Sequence, residues 1–214
     1  MTYPNSGAGL RGWTLFSLLS LTVLLFATST MLWHTELVDA LRSAIRVTAR
    51  FSFLLFLLTF LASSLVILLP NQSTKALLRE RRFLGLSFAF SHLVHGILIL
   101  IYAQMFPETF WNGRTATANI PGSVGYLFIL LLTITSFPVM VRLLGSSLWK
   151  LLHSTGTWVI AAIFCLSFYK RIPMHPWYLI AFSIMASAVA LKLTAKLVAR
   201  APCLAAGHAG PSPQ

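Results

Sequence analysis

The chain has 214 residues, 57% of them hydrophobic and only 9% charged, with a mean hydropathy of +0.80. A soluble domain carries about 25% charged residues, so this chain cannot coat a water-exposed surface of its size, and a soluble globular fold is excluded. The net charge of +12 does not mark a nucleic-acid partner, because the sixteen basic residues sit between apolar runs, as membrane flanks do.

Six apolar runs cover residues 13–33, 51–69, 83–105, 123–143, 151–169 and 177–195, each near the ~20 residues a spanning helix needs. Isolated strands cannot span, since lipid leaves their backbone groups unpaired, and the short alternation of barrel strands is missing. The first run is longer than the apolar core of a signal peptide and no A-x-A site follows it, so it is read as the first span. Pro70-Asn71 ends the second run and Pro107 the third. Pro121-Gly122 precedes the fourth, and Pro173 and Pro176 bracket the turn before the sixth. Pro138 falls inside the fourth run and is expected to kink it. Trp33, Trp111, Trp149, Trp177 and Tyr178 read as an interfacial aromatic belt.

Orientation follows from the basic residues. Arg11, Lys75, Arg79, Arg81, Arg82, Arg142, Lys150, Lys192, Lys196 and Arg200 fall on one side. Arg42, Arg46, Arg50, Arg114, Lys170 and Arg171 fall on the other. The richer side is expected to be cytoplasmic. The reading is therefore an all-α membrane protein: a six-transmembrane-helix bundle over 13–195, with a cytoplasmic N-terminus (1–12) and a cytoplasmic, disordered tail (196–214). The expected location is a bacterial inner membrane.

The four acids, Glu36, Asp39, Glu80 and Glu108, all read as loop residues, which disfavours an ion-coupled transporter. Cys165 and Cys203 form no CxxC or zinc pattern. The ionisable groups left within the runs are His92 and His95 in the third and His153 at the start of the fifth. An imidazole inside a helix bundle can ligate a heme iron, or it can simply hydrogen-bond a neighbouring helix. Small residues share its stripes: Ser87 and Ser91 lead to His95, while Phe88 and Gly96 flank His92. Such residues suit a flat macrocycle or plain close packing. His34, His175 and His208 read as interfacial or solvated.

The segment Arg81-Arg82-Phe83-Leu84-Gly85-Leu86, followed by His95, resembles the third helix of the ferric-reductase-like transmembrane family. It is most similar to the heme-binding membrane subunit that serves the bacterial periplasmic methionine sulfoxide reductase. Ile120-Pro121-Gly122 also fits. So do Thr135-Ser136, Arg142, Leu144-Gly145, Trp149 and Leu152-His153, which look like the junction of the fourth and fifth helices.

The resemblance implies a b-type cytochrome with heme held between histidines of the third and fifth helices. His95 and His153 match ligand positions, and His92 is extra or a substitute. The family places two histidines on each of these helices thirteen residues apart, about 20 Å at helical rise. Here those second positions are Arg82 and Leu166, so the ligand set is incomplete, and at most one heme is expected, held by His153 and either His92 or His95. Arg81, Arg82 and Arg142 are candidate partners for heme propionates, or positive-inside anchors. No dinucleotide-binding unit is read beside the spans. Electrons are therefore expected from quinol, a free flavin or a separate reductase, and are passed to a separate acceptor protein. Membrane lipid is the remaining partner. The alternative is a heme-less member of the same fold acting as a binding or assembly partner.

Overall fold

The computed structural model describes residues 11–112 and 115–207, apart from the side chains of Ala116 and of residues 200–207. Arg114, His208, the side chains of Arg200 and Cys203, and residues 1–10 and 208–214 of the expected termini lie outside the described residues. Among the described residues eight α-helices follow one another: α1 (Trp13–Leu32), α2 (Leu37–Leu68), α3 (Gln72–Met105), α4 (Pro107–Trp111), α5 (Ile120–Ile134), α6 (Pro138–Leu144), α7 (Ser146–Tyr169) and α8 (Trp177–Gly207). Short 3-10 turns precede α5 and α8, and no strand occurs among the described residues. Six segments are long and apolar enough to cross a membrane: α1, α2, α3, α5 with the turn before it, α7 with the turn after it, and α8. The protein is thus an all-helical, multi-pass membrane protein.

Two spans begin well before their apolar cores. The α3 helix starts at Gln72 because Asn71 and Thr74 form a capping box: Thr74 N–H donates to Asn71 Oδ1 at 2.9 Å, and Asn71 N–H donates to Thr74 Oγ1 at 3.1 Å. The polar stretch from there to Arg82 is built of good helix formers, so the helix runs through it. The α2 helix likewise starts at Leu37, which puts Arg42, Arg46 and Arg50 on a helix. Three acids expected in loops are helical too: Asp39 in α2, Glu80 in α3 and Glu108 in α4. Each still lies toward a helix end. Glu80 ties α3 to the start of α1, accepting from Gly12 N–H at 2.8 Å, and it pairs with the exposed Arg79 at 3.1 Å.

The expectation of one kinked fourth span is corrected. Pro138 does not kink a helix; it starts one. The residue before proline avoids the α region, and Phe137 is extended (φ −89°, ψ 141°), so α5 has already ended and Pro138 takes the first turn of α6. Gly145, at φ 76° and ψ 158°, then separates α6 from α7. The last helix continues to Gly207, well beyond the apolar run ending at 195.

The bundle is organised around α2, which packs on α1, α3 and α8, while α7 joins α5 to α8. Its main core gathers Phe53, Phe56 and Phe60 of α2, Phe88 of α3, Ile129 of α5, Ile160 of α7 and Met185 of α8. A second cluster, around Leu41, Leu98, Tyr102 and Phe110, closes the end farthest from Arg81.

Candidate functional site

A buried polar seam joins α2 to α3. Thr48, Ser52 and Ser91 are fully enclosed. Ser52 and Ser91 hydroxyls meet at 2.9 Å, and Ser91 Oγ donates to the Thr48 carbonyl at 3.3 Å. His95 ends this seam. Its Nδ1 lies 3.0 Å from the Ile45 carbonyl and 3.2 Å from Thr48 Oγ1. A carbonyl only accepts, so Nδ1 carries the proton and Nε2 keeps the lone pair.

His92 stands on the neighbouring stripe of α3, toward α5 and α7. Its ring lies 5.3 Å from His95, 4.9 Å from Tyr126, 5.5 Å from Phe88 and 6.3 Å from Phe164. Tyr126 Oη donates to the His92 carbonyl at 3.3 Å. His92 Nδ1 is buried without a hydrogen-bond partner. Gly96 makes this arrangement possible, because a Cβ there would sit 2.8 Å from Tyr126 Oη.

His153 belongs to a different place. Its Nε2 lies 3.0 Å from Thr135 Oγ1, whose own hydrogen goes to the Leu131 carbonyl at 2.6 Å. His153 Nε2 is therefore the donor in that pair. The Trp149 ring lies tilted against the His153 ring at 4.4 Å and donates Nε1–H to the Thr135 carbonyl at 2.8 Å. Thr157 Oγ1 donates to the His153 carbonyl. Thr135, Trp149 and His153 thus form a latch between the end of α5 and the start of α7. Gly156 lets the two helices meet there, since its Cβ position lies 3.0 Å from Phe128 and 3.1 Å from Leu132.

The structure does not bring His153 together with His92 and His95. The α7 residue that contacts His92 is Phe164, eleven residues beyond His153, or about 16 Å along a helix. On α3, the charge that acts on His153 is Arg81, eleven residues before His92, again about 16 Å. Two axial ligands of one planar group face each other at one level, so a heme clamped by His153 and either α3 histidine does not fit. His95 has one feature of a metal-ligating imidazole. A metal-ligating imidazole usually donates its second ring N–H to a carbonyl, and His95 does this to Ile45. No group of three His, Cys, Asp or Glu residues able to hold a bare metal ion occurs among the described residues. A metal here would have to arrive inside a cofactor that supplies most of its own ligands.

Arg82 and Arg142 lie away from the α3 histidines. Arg82 is exposed, with its guanidinium 5.6 Å from both the Phe83 and Phe137 rings. Arg142 is exposed on α6. Thr48, Tyr126 and Phe164 complete the surroundings of His92 and His95, and nothing in the local sequence singles them out: each is an ordinary residue of an apolar span. A family model described as "Ferric reductase like transmembrane component" matches residues 46–165, more than half of the chain. No curated protein and no solved structure matches.

Proposed function

The chain belongs to the ferric-reductase-like transmembrane family, and from that membership we propose that it is a membrane electron-transfer component with one b-type heme, ligated by His95 Nε2 alone. The observation that carries this reading is the His95 Nδ1–H bond to the Ile45 carbonyl, which fixes the tautomer with a free Nε2. His92, with an unpartnered Nδ1, stands beside His95, ring to ring at 5.3 Å. When bound, the heme supplies a one-electron carrier, and the protein supplies its position and polarity. Electrons would come from quinol, free flavin or a separate reductase and leave to a separate acceptor. The RR-x-LGL segment of α3 supports kinship with the subunit that serves periplasmic methionine sulfoxide reductase, and so a bacterial inner membrane.

Heme content tests this directly. Detergent-purified protein expressed with added heme is expected to carry one heme per chain and, once reduced, to bind carbon monoxide, as a centre with a single protein ligand can. A preparation with no Soret band would sink the proposal. One observation favours a second reading. Phe164 packs 5.2 Å from Phe56 and 5.5 Å from Phe53, filling the gap between α2 and α7. On that reading the protein is a heme-less binding or assembly partner, and the same spectrum separates the two.

A further inference from the structure

Three cations crowd the Arg81 end of the bundle with no acid among them. Lys192 of α8 is turned inward and only 8% exposed. Its Nζ donates to the Phe60 carbonyl at 2.6 Å and lies 4.2 Å from the Phe60 ring centroid. Lys196, one turn further on, is exposed and lies 5.0 Å from the Trp158 ring. Phe60 and Trp158 meet edge to face at 5.5 Å, so the two ammonium groups share one aromatic floor. From α3, Arg81 donates Nε–H to the Thr59 carbonyl at 3.1 Å. Arg81 and Lys192 therefore grip adjacent carbonyls of α2 from two different helices.

The charges reinforce one another. Arg81 and Lys196 are the groups whose charge repels Lys192. Glu80 is the one acid at this end among the described residues, and it is engaged by Gly12 N–H and Arg79. Glu36, Asp39 and Glu108 belong to the opposite end. A guanidinium has five N–H donors and an ammonium three, and Arg81 and Lys192 each give one to α2. Neither Arg81 Nη atom is a sealed, unpartnered one, so those donors are reachable from outside, while Lys192 Nζ keeps its bond to the Phe60 carbonyl and adds its charge. Partly buried like charges are costly without a counter-charge, and basic pockets between spanning helices at the headgroup level suit anionic headgroups.

We infer that Arg81, Lys192 and Lys196 form a binding site for a phosphate group, carried by an anionic lipid or by a soluble phosphate compound. A plain positive-inside anchor explains Lys196 but not Lys192, whose ammonium points into the bundle at Phe60. The site lies at the far end from His95 and does not depend on heme.

The test reconstitutes the full chain in phosphatidylcholine nanodiscs, then adds phosphatidylglycerol to the nanodiscs in one arm and inorganic phosphate to the buffer in the other. Filling the site is expected to raise the thermal unfolding midpoint by roughly 5–10 °C at about 100 times the Kd. A shift with phosphatidylglycerol alone identifies a lipid, and a shift with inorganic phosphate identifies a soluble source. Lys196→Gln, an exposed change that leaves the Phe60 contact intact, should lose most of the shift, and Lys192→Gln should lose it too. Arg46→Gln at the other end should keep it. No shift in either arm, or a shift that survives Lys196→Gln unchanged, would overturn the site.

Discussion

At the scale of single residues, the three span histidines differ in what holds them. His95 is fixed by a carbonyl and a hydroxyl of α2. His92 is fixed by rings and leaves one nitrogen unpartnered. His153 is part of a latch. His153→Ala should therefore act on stability, lowering it by about 1–2 kcal/mol through loss of one hydrogen bond and one ring contact, as read in thermal unfolding. Gly96→Ala is expected to act on the surroundings of His92. The new Cβ would come within 2.8 Å of Tyr126 Oη and 3.0 Å of its ring, so Tyr126 must swing away from His92. The expected cost is about 1–3 kcal/mol, with loss of the Tyr126 bond to the His92 carbonyl. The histidines themselves stand out in the sequence because the two runs that hold them contain no carboxylate, Lys or Arg. Their partners do not. The different level of His153 follows from position, since it is third in its run while His92 and His95 are tenth and thirteenth in theirs, whereas the donor state of its Nε2 depends on Thr135, a tertiary contact that spacing does not encode.

At the scale of helices, the junction from α5 to α7 is where the sequence misleads. Hydropathy continues through Pro138, so the fourth run reads as one helix, yet the extended Phe137 makes two, and Gly145 parts the second from α7. Gly145 has a φ of 76° and ψ of 158°, a region open essentially to glycine, and a Cβ there would meet nothing within 4 Å. Gly145→Ala should thus cost about 1–3 kcal/mol from backbone strain alone. Gly122→Ala is the control: it too has open space around it, but it is helical with an ordinary φ, and it should be neutral or stabilise by about 0.4–1 kcal/mol. Equal midpoints for the two variants would contradict the backbone argument. The Thr135-Ser136 and Trp149-Leu152-His153 motifs gain a physical meaning here, because Thr135, Trp149 and His153 join the two helices.

At the scale of the whole molecule, six spans and their order follow from hydropathy, because length and apolarity are what a bilayer demands. The starts of α2 and α3 do not, since they depend on caps and helix propensity outside the lipid. The bias of ten basic residues to six between the two ends predicts that the Arg81 end is cytoplasmic. A phosphatase reporter fused after Glu36 should then be active and a fluorescent reporter fused after Asn71 should glow; the reverse pattern would invert the topology. The packing of the core is not legible in sequence at all. Phenylalanines are scattered through the runs, and only the fold gathers Phe53, Phe56, Phe88 and Phe164 into the space between α2, α3 and α7.

The redox centre we propose is single, held by His95 and independent of His153. The most direct measurement is the reduced-minus-oxidised spectrum of the purified protein beside its His95→Ala and His153→Ala variants. The heme bands should be present in the unsubstituted protein, vanish in His95→Ala and persist in His153→Ala. Bands that survive His95→Ala, or that disappear in a folded His153→Ala, would contradict it.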